Sequence, residues 1–165
     1  MLDYLGIFKE LNKKKIKYLV VGGLAVNLYG IPRMTYDIDL LLSFDDNNMG
    51  SFLKLIKIWG FKPKVPVNIL DLTDENKRND WIKSKNMKAF CLVNPAWAIA
   101  EIDILIQSPV DYQTAIKHCR HIGVKDISVP VISIKDLIKM KQVSDRLQDK
   151  EDVNNLRRII DEEKE

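Results

Sequence analysis

Asp37 and Asp39 stand two residues apart in an apolar run, Asp37-Ile-Asp-Leu-Leu-Leu-Ser43. On a strand, alternate side chains share a face. Ile38, Leu40 and Leu42 then form a core face, and Asp37 and Asp39 share the other. Two carboxylates so close repel each other unless a cation or a proton lies between them, and Asp is a poor strand former. A hard divalent cation with oxygen ligands removes both costs. The alternative is that the two acids simply begin the strand in solvent. A third acid occurs in Glu101-Ile-Asp-Ile-Leu-Ile106, with the same alternation: Ile102, Ile104 and Ile106 on one face, Glu101 and Asp103 on the other. If the two strands are neighbours, their acidic faces coincide. Three carboxylates, Asp37, Asp39 and Asp103, can hold two metal ions ~3.5–4 Å apart, an arrangement for in-line displacement at phosphorus. Asp103 is also suited to act as general base on an incoming hydroxyl. Glu101 is expected on an exposed strand face, and whether it joins the acids stays open.

Other residues could meet a phosphate. Tyr18-Leu-Val-Val-Gly-Gly23 delivers two glycines from a strand directly into a helix start. Backbone N–H groups there are unpaired, the helix dipole favours an anion, and residues without side chains allow close approach. The alternative for Gly22 and Gly23 is a tight strand-to-helix turn. Toward the other end, Lys139, Lys141 and Arg146 supply mobile positive charge suited to a triphosphate, the alternative being a solvated helix face paired with Asp145 or Asp149. Lys139 and Lys141 lie two positions apart on a helix and cannot share a face.

The elements that position these groups follow from periodicity and punctuation. Leu2 to Lys14 carries a helical apolar stripe, and Lys17 to Gly22 reads as a buried strand. Gly23 to Tyr29 suits a short helix closed by Gly30 and stopped by Pro32. Asp37 to Ser43 is a second strand, and Asp45 to Trp59 a helix ended by Gly60. Phe61 to Leu72 contains two prolines and reads as irregular. Thr73 or Asp74 caps a helix through Lys83. Lys88 to Val93 and Ala98 to Gln107 form a strand pair, Val110 to Cys119 a short helix, and His121 to Val131 is β-like around Pro130. Ser133 caps another helix, with Asp136 as a capping-box equivalent, and the last helix opens at or just before Asp149. The order predicts an α+β fold, a small antiparallel or mixed sheet with helices packed on it and C-terminal helices.

Composition bounds the rest. The chain has 165 residues, 46% hydrophobic and 30% charged, with a formal net charge of +3. That is globular composition and the length of one domain. The expected division is a core over about residues 1–110 and a helical part over about 132–162. The mild basic excess neither demands nor excludes a nucleic-acid partner. No apolar run approaches the ~20 residues of a membrane span, and the N-terminus reads as an amphipathic helix rather than a signal peptide. Two cysteines, Cys91 and Cys119, read as reduced thiols of a cytoplasmic protein. His118-Cys119-Arg-His121 matches no zinc spacing and reads as a helix-to-strand junction. Trp59, Trp81 and Trp97 read as packing residues, with Trp97 kept as a possible substrate contact.

Taken together, Gly22-Gly23, thirteen intervening residues and Asp37-Ile-Asp-Leu40 resemble the signature of the DNA polymerase β-like nucleotidyltransferase superfamily. The wider string GG-L-A-V-x-x-Y-G-x-x-R-x-T-x-D-I-D-L is similar to a small bacterial branch related to abortive-infection type E toxins (AbiEii-like) and minimal nucleotidyltransferases. Asp103 matches that branch's third carboxylate. Lys141-x4-Arg146-x2-Asp149 is similar to its Lys-x4-Arg segment followed by an Asp. The resemblance implies a nucleotidyltransferase fold, two Mg²⁺ or Mn²⁺ ions on Asp37, Asp39 and Asp103, and an NTP as substrate. It implies nucleotide contacts from Gly22, Gly23, Arg33, Thr35, Lys141, Arg146 and Asp149. Arg33 would lie near the triphosphate or the acids, with a structural pair to Asp37 or Asp39 as its alternative. The implied reaction moves an NMP onto a hydroxyl of RNA, protein or a small molecule, with a homodimer or an antitoxin as possible partner and no membrane association. The rival readings are a catalytically silent module of this fold, or a toxin–antitoxin component acting by association, and a phosphodiesterase or nuclease on the same metal pair.

Overall fold

The computed structural model describes residues 3–164, so Leu2, the first residue of the expected N-terminal helix, lies outside them. Helix α1 (Tyr4–Lys13) is capped by Asp3, whose side chain accepts from the Gly6 N–H. There follow β1 (Tyr18–Val21), α2 (Gly22–Leu28), β2 (Asp37–Leu42), α3 (Asp46–Ile58), β3 (Lys62–Pro63) and α4 (Glu75–Lys85). The second half contains β4 (Ala89–Val93), β5 (Glu101–Leu105), α5 (Tyr112–Ala115), β6 (Arg120–Val124), β7 (Ile127–Val131), α6 (Ile134–Gln142) and α7 (Leu147–Glu162). Short 3₁₀ turns cover Ile69–Thr73 and Ile116–His118.

Seven strands form one mixed sheet in the order β3-β4-β5-β2-β1-β7-β6. β2 runs parallel to β5, and β1 parallel to β7; the other pairings are antiparallel. This is the α+β arrangement that the element order predicts. All four residues of β1 are buried, which its Tyr-Leu-Val-Val composition allows in the middle of a sheet covered on both faces. Ile38, Leu40 and Leu42 of β2 and Ile102 and Ile104 of β5 are buried on the core face. α6 packs against α7 and touches α2, so the C-terminal helices close over the end of the sheet where β1 enters α2. Buried Asn48 ties α3 to the strand ends. Its Oδ1 accepts from the Lys17 N–H at 2.7 Å, and its amide donates to the carbonyls of Lys17 and Ser43 at 3.0 and 2.8 Å.

Several local expectations are revised. Gly22 opens the helix rather than ending the strand, and it has a φ of 64°. The segment after Gly60 is not wholly irregular, since β3 pairs with β4 there. The Ser133 cap forms, with its Oγ accepting from the Asp136 N–H at 3.1 Å. The Asp136 carboxylate, however, turns to Lys139 at 3.0 Å rather than back to the cap. Trp97 packs on Trp59 and Phe61, at centroid distances of 5.9 and 5.2 Å, and does not line the cleft described below. Both cysteines are free. No helix among the described residues is long and apolar enough to cross a membrane.

Candidate functional site

The register of β2 against β5 assembles the acids. Asp39 lies opposite Asp103, and Asp37 opposite Glu101. The parallel pairing therefore places equivalent carboxylates side by side on the non-core face, and oxygen atoms of Asp37, Asp39 and Asp103 lie within 4.8 Å of one another. Thr35 Oγ1 donates to Asp37 Oδ1 at 3.0 Å, so Thr35 acts first on the orientation of an acid. Glu101 points to the sheet edge, where Lys64 Nζ holds its Oε1 at 2.9 Å.

Gly22 serves the acids directly. A Cβ at this position would lie 2.0 Å from Asp39 Oδ2, and its left-handed φ disfavours any side chain. The Gly23 backbone N–H lies on the Asp39 side and favours its charged form. A Cβ on Gly23 would meet Arg33 Cζ and Thr35 Oγ1 at 3.0 Å. The glycine pair is thus a packing requirement of Asp39 and Arg33.

The cationic side is built by α6 and α7. Lys141 is buried and bridges Asp149 and Asp152, at 2.8 Å each. Arg33 pairs with Asp152, not with Asp37 or Asp39. Lys141 is therefore a fixed charge rather than a mobile one, and Lys139 is occupied by Asp136. Arg146 is exposed, at the N-cap of α7. Asp152, wholly buried, is the residue that reading the sequence missed. Its signal was a carboxylate in the apolar stripe of α7, one position before buried Val153 and four before buried Leu156. A charge on such a face must have a partner.

Gly22, Gly23, Arg33, Thr35, Asp37, Asp39, Asp103, Lys141, Arg146 and Asp149 all line one cleft of 660 Å³, together with Lys88, Met140 and Val143. Its electrostatics are uneven. Asp39 is pushed up to about 7, by burial first and then by the charges of Asp37 and Asp103, against the pull of Lys141 and the Gly23 N–H. Asp103 is also raised, by burial and by Asp37 and Glu101, although a hydrogen bond from Cys91 opposes this. Its Oδ1 is buried with no hydrogen-bond partner. Asp149 is lowered: burial works against this, but Lys141, Ser144 and Arg146 prevail. Three convergent carboxylates, two of them reluctant to ionise, fit a divalent cation such as Mg²⁺ or Mn²⁺.

The sign of the pH effect follows. Without metal, the folded chain holds the Asp39 proton more tightly than the unfolded chain, whose carboxyl stays near 3.8. This contribution is fully present below about pH 4 and is lost as pH rises to about 7, a loss on the order of a few kcal/mol. The metal-free melting temperature is expected to fall over that window relative to Asp39→Asn, and millimolar Mg²⁺ to raise it more above about pH 7 than near pH 5. Differential scanning fluorimetry of both proteins across pH checks this; parallel profiles would contradict it.

No family model and no curated protein matches the chain. Solved structures do. The lincomycin-bound crystal structure of the lincosamide antibiotic adenylyltransferase LnuA superposes with a TM-score of 0.60 at 18% identity, covering 92% of each chain. The solution structure of the antibiotic-resistance factor ANT(2'')-Ia superposes with a TM-score of 0.55 at 13% identity, covering 91% of this chain and 78% of that one. The chain has the nucleotidyltransferase fold.

Proposed function

We propose that this chain is a metal-dependent nucleotidyltransferase that moves an NMP from an NTP to an acceptor hydroxyl and releases pyrophosphate. The observation that carries the reading is the in-register row of Asp39 and Asp103, with Asp37 beside it and Arg33, Lys141 and Arg146 lining the same cleft. The acceptor oxygen bonds to the α-phosphorus as the bond from that phosphorus to the α–β bridging oxygen breaks. Asp37, Asp39 and Asp103 would hold two Mg²⁺ or Mn²⁺ ions. The chemistry such ions supply is activation of the attacking hydroxyl and neutralisation of the leaving pyrophosphate. Asp103 would take the hydroxyl proton. Thr35 holds Asp37 in orientation, and Gly22 and Gly23 let Asp39 lie against the backbone. Arg146 would meet the triphosphate directly. Arg33 and Lys141 are balanced by Asp149 and Asp152, so they would offer the triphosphate fixed donors rather than net positive charge.

A silent module of this fold has no physical reason to retain an orphaned, buried Asp103 oxygen beside two further carboxylates, each adding to the charge repulsion. Within the nucleotidyltransferases, the Gly22-to-Leu40 string and the Lys141-to-Asp149 segment favour the branch related to abortive-infection type E toxins. Acceptors of that reading are an RNA 3′ end, a protein or a small molecule, with a second copy or an antitoxin as partner. The antibiotic acceptor that LnuA's name specifies makes the small-molecule arm a necessary part of the test.

Incubation with each α-labelled NTP and Mg²⁺, against RNA, protein and small-molecule fractions of a cell extract, tests the proposal. Label moving onto one fraction supports it and names the acceptor class. Labelled mononucleotide released from nucleic acid without pyrophosphate would favour a nuclease instead. Arg146→Ala is expected to raise KM for the NTP about tenfold, the loss of one exposed charge-assisted contact of ~1.4 kcal/mol, with kcat little changed. Steady-state kinetics check this; an unchanged KM would remove Arg146 from the nucleotide contacts.

A further inference from the structure

A second concavity lies between α3, β3 and the 3₁₀ turn at Ile69–Thr73, and it shares no lining residue with the acid cleft. It encloses about 750 Å³ and is mostly apolar. Leu53 and Phe61 line it as buried side chains, Pro63 and Ile69 are half-buried, and Leu70 is 60% exposed. Three exposed lysines also line it, Lys54, Lys57 and Lys62, and none of them forms an ion pair among the described residues. The one acid on its wall, Asp46, is the first residue of α3, ~16 Å along the helix from Lys57. The negative end of the helix dipole accounts for Lys57 but not for Lys62, which comes from β3. Lys54 and Lys57 are neighbours on the helix surface, and like charges so placed repel each other.

Gly50 is the second observation. It stands inside α3 with ordinary helical backbone, exposed on the groove wall. A Cβ there would meet nothing within 4 Å. Glycine in a helix interior is destabilising relative to alanine. Neither backbone conformation nor packing within the chain accounts for it, whereas close approach of a bound molecule to the backbone does.

We infer that this groove binds a small amphiphilic anion, a medium-chain alkyl carboxylate. Its hydrocarbon body lies along Leu53, Phe61 and Leu70 against the Gly50 backbone, and its carboxylate lies among Lys54, Lys57 and Lys62. The volume falls in the ~300–1,000 Å³ range of small-molecule sites, which are concave, mostly apolar and furnished with a few polar groups. The side chains along the apolar part are chiefly aliphatic, and covering exposed Leu70 with hydrocarbon removes apolar surface from water. The anion relieves the repulsion among the lysines. A single negative charge suits the site, because α3 ends there and its dipole opposes a more highly charged group. No arginine fork lines the groove to favour a phosphate.

The probes are octanoate and 1-octanol, a pair matched in chain length and differing in charge. Each is titrated into the ¹⁵N-labelled full chain and followed by amide chemical shifts. Octanoate is expected to give saturable shifts centred on Gly50, Leu53, Lys57 and Leu70, with a Kd about tenfold or more below that of 1-octanol. The double variant Lys54→Gln/Lys57→Gln is expected to weaken octanoate about tenfold and to leave 1-octanol within about twofold. Gly50→Leu puts a side chain into the groove while improving the helix; it is expected to weaken both ligands at least about tenfold, with a melting temperature no lower than that of the parent. That melting curve separates a filled groove from an unfolded chain. Absence of saturable shifts with octanoate would overturn the inference, as would shifts scattered away from the groove. Equal affinity for octanoate and 1-octanol would also overturn it and leave an apolar face for a protein partner. Parent-like octanoate binding by Gly50→Leu would place the ligand elsewhere and overturn the assignment.

Discussion

Asp39→Asn is expected to lower NMP transfer by about a thousandfold or more, some 4 kcal/mol of transition-state stabilisation, with no loss of stability in the metal-free chain. The two halves of this expectation have one cause. Asp39 is central in the carboxylate row, opposite Val21 on one side and Asp103 on the other, and its ionised form is disfavoured by burial and by both acidic neighbours. An amide keeps the shape, while the charge repulsion disappears. The neutral side chain no longer balances a divalent cation, so the transfer that depends on that cation collapses. Paired assays of transfer rate and of metal-free melting at about pH 7.5 check both halves. Retained activity would remove Asp39 from the chemistry, and a large drop in melting temperature would make its role structural.

Asp152→Ala is expected to destabilise the chain by ~3–5 kcal/mol, lowering the melting temperature by roughly 10 °C. Asp152 is wholly buried and pairs with both Arg33 and Lys141. Its removal leaves the mostly buried Arg33 guanidinium without a carboxylate and Lys141 with Asp149 alone. Stranding a buried charge costs far more than the net contribution of an intact pair. Asp152→Asn, which keeps the shape and an acceptor, should cost about half as much. Urea denaturation of both variants is the measurement. A change below about 1 kcal/mol for the alanine variant would show that the network relaxes without it. Because Asp152 also fixes the positions of Arg33 and Lys141, the NTP KM is expected to rise in both variants.

The acids were legible because strand alternation is a strict rule: a carboxylate pair on the non-core face of an otherwise apolar strand stands out, and Ile102 and Ile104 set Asp103 in the same phase. Their meeting in one row was not legible. It depends on β2 pairing in parallel with β5, a long-range choice that no local pattern encodes. The glycines were legible as a strand-to-helix junction, but the reason for them was not: the carboxylate of Asp39, brought by another strand, fills the space a side chain would take. Helical periodicity located Lys141 and Arg146 but not their difference, one buried between two carboxylates and the other exposed. Which partner a charge finds is decided by tertiary packing, so Arg33 went to Asp152 on the last helix rather than to the acids nearby in sequence.

The most direct test compares NTP labelled at the α-phosphate with NTP labelled at the γ-phosphate, in the presence of Mg²⁺ and the acceptor fraction that takes label. The expected result is α-label on the acceptor, γ-label in pyrophosphate, equal yields of the two, and neither product with Asp39→Asn. Transfer of γ-label to the acceptor, or α-label transfer that persists in Asp39→Asn, would contradict it.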